Sequence, residues 1–267
     1  MNYLDKKYNI LRPIKNDKLL RLGRKADGGY VVDEKPLKDC STLITFGLGD
    51  DWSFENDLLK KNNEIQIHIY DHTVSFKFYL DNLIKYLRRF LTFRTTYTSV
   101  AKSFKNLFNF FKFLNLKNIF FYKEKVISPI KKKKEVDLDE ALSRLKIKNN
   151  IILKIDIEGD EYILIDQIIK NYEKINILIF EFHWLDKNEK IFLDSVNTLK
   201  RYFDIIHIHG NNHCEKNSYG LPIALEITMN NIKYRPKKID FKNNFPIDQL
   251  DYPNNPYKED LNLNFND

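Results

Sequence analysis

The sequence predicts an α/β protein built on a doubly wound, mainly parallel sheet with helices on both faces, and three observations carry that expectation. Short runs rich in Ile and Phe alternate with amphipathic stretches, the pattern of repeated βαβ units. Glycines and carboxylates cluster where those runs end, at the edge a parallel sheet offers to ligands. Finally, a basic, aromatic segment interrupts the alternation. Residues 76–134 hold 15 Lys and Arg against 2 Asp and Glu, while the rest of the chain holds 29 against 35. The net charge of +7 therefore belongs to one segment, which reads as an insertion with a job of its own.

In chain order, the expected strands are residues 43–48, 65–70, 126–130, 151–157 and 175–182. Two more, about 204–209 and 224–229, are close enough in sequence to pair antiparallel at the sheet edge. Helices are expected at 53–62, at 137–145 with Asp137 and Glu140 spaced as a capping pair, at 161–171 and at 186–202. The insertion, about 76–122, carries 15 of the 37 aromatic residues and reads as helical. Leu80, Leu83, Leu87 and Phe90 form one stripe; Tyr97, Val100, Phe104, Phe108, Phe111 and Leu114 form another. Cap helices on the body, a membrane-surface element, an anionic-substrate lid and a nucleic-acid surface are its four readings. Residues 1–250 are expected to be one domain, and 251–267 a polar, loosely ordered tail.

Composition narrows the class. A chain of 267 residues, 43% hydrophobic and 30% charged, can bury a large core and is not disordered. Eight Gly and eight Pro exclude collagen-like and proline-rich architectures. Two cysteines, Cys40 and Cys214, are too few for a disulfide framework. With no run near the roughly 18 apolar residues of a membrane helix and no leader-like start, the expectation is a soluble cytoplasmic protein.

Three clusters could carry chemistry. Phe46-Gly47-Leu48-Gly49-Asp50-Asp51-Trp52-Ser53 closes a strand and opens a helix, so its glycines let backbone approach a ligand. It lacks the third glycine of the dinucleotide fingerprint, and Asp50-Asp51 would repel a pyrophosphate. The next strand ends at Asp71, where a carboxylate can accept from a ribose diol, so a cationic nucleoside such as S-adenosylmethionine suits the pair. Second, Asp156 and Glu158 end the 151–157 strand with period-2 spacing, and Glu181 and His183 end the following one. Together they suggest a general acid–base site, with a divalent cation allowed but not expected. Third, His207-Ile208-His209-Gly210-Asn211-Asn212-His213-Cys214 reads as a substrate loop rather than a zinc site, because no Cys-x-x-Cys accompanies it.

Taken jointly, these motifs resemble the FkbM-type family of S-adenosylmethionine-dependent methyltransferases. The matching pieces are Leu22-Gly23-Arg24 with Asp27-Gly28-Gly29-Tyr30, the Phe46–Glu55 turn, Tyr70-Asp71, Val136-Asp137-Leu138, Leu153–Tyr162, Glu181–Leu185, and His207–Asn212 followed by Leu221-Pro222 and Leu225-Glu226. They run in order over about residues 20–230. The resemblance implies a Rossmann-like class I methyltransferase sheet and O-methylation of sugars or similar hydroxylated metabolites. It puts Gly47 and Gly49 against the cofactor, Asp71 on its ribose, and Arg24, Asp27, Gly28 and Gly29 in the pocket wall. Asp50 and Ser53 join them, with Asp50-Asp51 on the ammonium, because Phe46 stands where the family commonly has an acid. Asp156 would contact the cofactor, and with Glu158, Glu181 and His183 lie near the transferred methyl. His183 is the expected base and His209 the reserve.

The expected acceptor is a sugar, most simply a nucleotide-activated one for a bacterial surface polysaccharide such as capsule or lipopolysaccharide. Asn211, Asn212, Arg88 and Arg89 would bind it, the arginines meeting phosphates if the insertion folds over the cleft. A homodimer is left open; nucleic acid and stable membrane insertion are not expected. The alternatives are an RNA methyltransferase using the basic aromatic segment, and a non-catalytic protein that attaches to membranes.

Overall fold

The computed structural model describes residues 3–266. A short hairpin comes first, β1 (Leu19–Leu22) against β2 (Tyr30–Asp33), followed by α1 (Glu34–Asp39). The main alternation then runs β3 (Thr42–Phe46), α2 (Ser53–Lys61) and β4 (Gln66–Tyr70). Next come α3 (Phe76–Leu91), α4 (Tyr97–Leu114) and β5 (Ile119–Tyr122). The two-residue strands β6 (Lys125–Val126) and β7 (Glu135–Val136) pair with each other before α5 (Leu138–Ser143). The chain continues with β8 (Ile151–Ile155), α6 (Ile165–Lys170), β9 (Ile175–Phe182), α7 (Leu185–Leu199), β10 (Phe203–Gly210) and β11 (Leu225–Asn231). The short strands β12 (Asn244–Phe245) and β13 (Leu263–Asn264) close it.

Seven strands form one sheet in the order β10-β11-β9-β8-β3-β4-β5. All run parallel except β11, which is antiparallel to both neighbours. The order turns back on itself at β3 and β8, and there the carboxyl ends of adjacent strands part to leave a crevice. Strand residues alternate between two buried layers. Ile44, Phe46, Leu153, Ile155, Phe180 and Phe182 face one core; Leu43, Ile67, Ile69, Ile152, Ile177 and Ile179 face the other. Because both faces are covered, the strands read as nearly continuous apolar runs.

Most expected elements form within a few residues of their predicted ends, and Asp137 does cap α5 by accepting from Glu140 N at 2.9 Å. Three expectations change. The 126–130 strand shrinks to Lys125–Val126. The insertion is shorter than 76–122, because Ile119–Tyr122 is the edge strand β5 of the main sheet. The tail is not loosely ordered. Leu263 and Phe265 are buried in the core, Asn212 Nδ2 donates to Asn255 O at 3.0 Å and to Glu259 O at 3.1 Å, and Asp260 pairs with His209. Its buried polar groups, Asp251 and Asn254, are hydrogen-bonded to the body, while 256–259 stay exposed.

Candidate active site

The crevice at the β3/β8 switch is a cleft of about 690 Å³, within the size range of small-ligand sites. Its floor is the glycine turn after β3. Gly47 has φ +83°, and a Cβ there would lie 1.7 Å from the Asp156 carbonyl oxygen, so only glycine lets the ends of β3 and β8 touch. Gly49, at φ +63°, faces open space instead.

Asp71 lines the cleft but does not stand ready for a ribose. Its Oδ2 accepts from Leu48 N at 2.8 Å and Gly49 N at 3.0 Å, and its Oδ1 accepts from Thr73 N, Thr73 Oγ1 and Val74 N. Five donors saturate a carboxylate. Burial alone would raise its pKa, yet the donors from Thr73, Gly49 and Leu48 hold it below the usual carboxylate range. Asp71 therefore braces the glycine turn while its carboxylate lines the cleft. The acidic pair also divides. Asp50 is exposed, whereas Asp51 accepts from Ser53 N and pairs with Arg24 Nε at 2.8 Å. Ser53 Oγ in turn accepts from Arg24 N. These bonds tie the β1–β2 loop to the start of α2; Arg24, Asp27 and Gly28 line the cleft, whereas the expected Gly29 and Ser53 do not.

At the neighbouring strand ends the carboxylates and the imidazole do converge, though not through strand alternation. β8 stops at Ile155, and Glu158 sits in a left-handed turn with its side chain 82% exposed. His183 Nε2 lies 3.7 Å from Glu181 Oε1, 3.8 Å from Glu158 Oε2 and 3.9 Å from Asp156 Oδ1. Its other nitrogen, Nδ1, is held 2.9 Å from Glu161 Oε1. Glu161 is fully buried and also accepts from Gly159 N. A carboxylate only accepts, so Glu161 keeps the hydrogen on Nδ1 and leaves Nε2 aimed at the acidic cluster. Glu161 was not among the expected site residues. Its only sequence signal is a second acid after Gly159-Asp160, and the turn decides which acid swings under the imidazole.

Electrostatics sharpen the arrangement. Burial lowers the His183 pKa, but the Glu161 hydrogen bond and the Glu181 and Asp156 charges outweigh it and carry it to about 9. At neutral pH the ring is an imidazolium, not the half-titrated base the sequence suggested. Burial pushes Asp156 upward and drives Glu181 well up, the latter aided by Asp156 and Glu226. Tyr30 OH lies 3.0 Å from Asp156 Oδ2, and Asn211 Nδ2 donates to Glu181 Oε1 at 2.7 Å. Beneath them Lys154 is buried 3.8 Å from Glu55, and its ammonium is further stabilised by the Asp156 charge. The donor atoms of Asp156, Glu158 and His183 lie within 4.8 Å of one another, as do those of Asp27, Glu181 and Glu226.

The remaining expected residues fall elsewhere. His209 is buried with Nδ1 3.3 Å from Glu226 and Nε2 3.0 Å from Asp260. Burial lowers its pKa, but these acids raise it to about 10, so it is locked as a cation and unsuited as a reserve base. That shift predicts a stability slope. The ion triad contributes fully below the unfolded histidine's pKa near 6.5, and its contribution is lost as pH rises through about 10. We expect the melting temperature to fall over that window, and His209→Gln to flatten the fall; equal slopes by calorimetry would refute the triad's role. Asn212 is 2% exposed and anchors the tail. Arg88 and Arg89 lie in the last turn of α3, exposed, and no residue of α3 or α4 lines the cleft. The tail also supplies a buried support, since Asn254 Nδ2 donates to both Asp27 and Glu226.

No family model and no curated protein matches the sequence. Among solved structures the chain is similar to a fibrillarin pre-rRNA processing protein from Methanococcus jannaschii, at 9% identity over 73% of this chain and 68% of that one, with a TM-score of 0.39. It is also similar to a dimethyladenosine transferase from Plasmodium falciparum, at 8% over 78% of this chain, with a TM-score of 0.36, and spans 60% of that protein's length. A precorrin-6y C5,15-methyltransferase from Geobacter metallireducens gives 10%, 73% and 85%, and a TM-score of 0.36. The likeness is remote, and no residue role is taken from it. The fold class is α/β, with a mixed seven-stranded sheet.

Proposed function

We propose that the protein is an S-adenosylmethionine-dependent O-methyltransferase acting on a hydroxyl of a sugar or similar polyol, along the lines the FkbM-type motifs suggest. One observation carries this reading: an imidazole backed by a buried carboxylate, with its second nitrogen turned into a cleft of acids and amides beside a glycine turn. The residues fit a cationic nucleoside. The turn is open at Gly49, Asp50 is exposed beside it, and the cleft carries carboxylates where a pyrophosphate would be repelled. When bound, that cofactor supplies an electrophilic methyl on a sulfonium centre.

The protein's part is alignment and proton removal. Asp156, Glu181 and Asn211 offer acceptors and donors at fixed positions for a polyol's hydroxyls. With the cofactor's sulfur keeping the electron pair of the broken carbon–sulfur bond as the acceptor oxygen takes the methyl, the hydroxyl proton would pass to His183 Nε2, and Glu161 would stabilise the resulting imidazolium through Nδ1. In the free protein Nε2 must first lose its own proton. Turnover per unit of acceptor is therefore expected to rise with pH toward about 9, the value at which half of His183 is neutral. A profile flat from pH 6 to 9 would remove His183 from this role. No step of this scheme calls on a divalent cation, because the proton goes to His183.

The sugar-nucleotide refinement loses the support first given to it, since Arg88 and Arg89 lie away from the cleft. RNA methylation is the second reading, favoured by the 15 cationic residues of the 76–134 segment. The acid-ringed cleft weighs against bringing a phosphate backbone close to His183.

The test is calorimetric titration with S-adenosylhomocysteine. One-site binding at roughly micromolar Kd, or about −8 kcal/mol, is expected. Asp71→Asn should abolish most of it by facing an amide N–H toward loop donors. A folded protein that ignores the ligand at millimolar concentration would sink the methyltransferase reading.

A further inference from the structure

The α3–α4 hairpin is the part of the molecule that the active site does not use. Its base is anchored. Trp52 packs on Tyr79, Phe110 and Phe113 with ring centroids 5.5–6.1 Å apart, and Phe110 reaches Phe121 of β5. Beyond that base, no residue from Leu80 to Lys102 is buried. Two helical arms without a buried residue cannot be stabilised by core packing, and helices of this length are marginal in water on propensity alone.

Many of the exposed side chains are large and apolar. Phe76, Ile84, Leu87, Phe90 and Leu91 lie along one stripe of α3, and Tyr97, Phe104, Phe108 and Phe111 along one stripe of α4. The two stripes adjoin. Phe76 meets Phe111 at 6.4 Å near the base, and Phe90 meets Tyr97 at 6.5 Å near the tip. Phe93, 97% exposed, crowns the turn. Lys77, Lys85, Arg88, Arg89, Arg94, Lys102, Lys105 and Lys112 decorate the hairpin, against the single acid Asp81.

We propose that this hairpin is a foot that lies on an anionic lipid surface, its aromatic and aliphatic stripe in the acyl boundary and its cations against headgroup phosphates. Charge selects the occupant. A second copy of the chain would bring two strongly cationic faces together, whereas an anionic membrane supplies the complementary sign. The many aliphatic and phenyl groups offer nothing to hydrogen-bond a base edge, while buried in lipid they are favourable. No helix among the described residues is long and apolar enough to cross a membrane, so the fit is to a surface. The foot stands independently of the methyltransferase reading, since its test uses neither cofactor nor acceptor.

The experiment is co-sedimentation of the full chain with vesicles. Most of the protein should pellet with equal parts phosphatidylcholine and phosphatidylglycerol, little with phosphatidylcholine alone, and less as salt rises. The combined variant Leu91→Ser, Phe93→Ser, Phe104→Ser and Phe108→Ser changes only exposed positions. It should keep the wild-type melting temperature and lose vesicle affinity by at least about ten-fold. Arg88→Glu with Arg89→Glu should do the same for the anionic vesicles. Absence of vesicle binding overturns the proposal, whether the protein then binds single-stranded RNA or forms a dimer that the serine variant dissolves. Vesicle binding unchanged in both variants also overturns it, because the attraction would then lie elsewhere.

Discussion

His183→Ala is expected to lower turnover by about 10²–10⁴-fold while leaving S-adenosylhomocysteine affinity unchanged. The ring touches the acid cluster only through Nε2, at 3.7–3.9 Å, and the turn that forms the cofactor side makes no hydrogen bond to it. Glu161→Gln separates catalysis from packing. Glutamine can still accept from Nδ1, so the ring stays in place, but it removes a principal cause of the raised His183 pKa. The rising limb of the pH profile should then move to lower pH, with a reduced plateau because the imidazolium is less well supported. Loss of activity without any shift of the limb would mean that Glu161 is structural and that His183 is not the proton acceptor. A His183→Ala enzyme with ordinary turnover would pass the base role to the carboxylates.

Gly47→Ala carries the second large effect, on folding as well as on the site. The added Cβ would sit 1.7 Å from the Asp156 carbonyl oxygen, and φ +83° is already unfavourable for alanine. Left-handed strain together with forced separation of β3 from β8 should cost roughly 3–5 kcal/mol. The same displacement would move Asp156, whose amide donates to Phe46 O at 2.9 Å, and so disturb the acid cluster. Gly49→Ala is the matched control, since its Cβ meets nothing within 4 Å and costs only the φ +63° penalty, about 1 kcal/mol. Equal melting temperatures for the two variants would mean that β3 and β8 do not meet as described. If Gly49→Ala stays stable but loses S-adenosylhomocysteine, the open face at Gly49 is where the ligand lies.

Several features were legible because they are written in local pattern. Continuous Ile and Phe runs made strands with two buried faces, and β9 begins and ends where its run does. The glycine turn was legible because a sharp strand-to-helix connection restricts residue type. The basic segment stood out by charge, and it does form two helices, but they are anchored on the body only at their base and leave their aromatic stripes exposed. Less legible was the edge strand β5, whose Phe120 and Phe121 are masked by the surrounding aromatics. The two-residue β6 was overread from an apolar stretch that the sheet does not use.

The sequence by itself determined the fold class, where most of the strands lie, and most of the acids and the imidazole that meet at the cleft. Tertiary structure decided which of them does what. Asp71 is filled by its own loop, His209 is locked between Glu226 and Asp260, Asn212 is spent on the tail, and Glu161 is turned under His183. The physical reason is range. Hydrophobic periodicity acts within one element and is visible along the chain. The protonation and availability of a side chain depend on neighbours distant in sequence, such as Asp260 at His209, 51 residues on, which only burial and register bring to 3.0 Å.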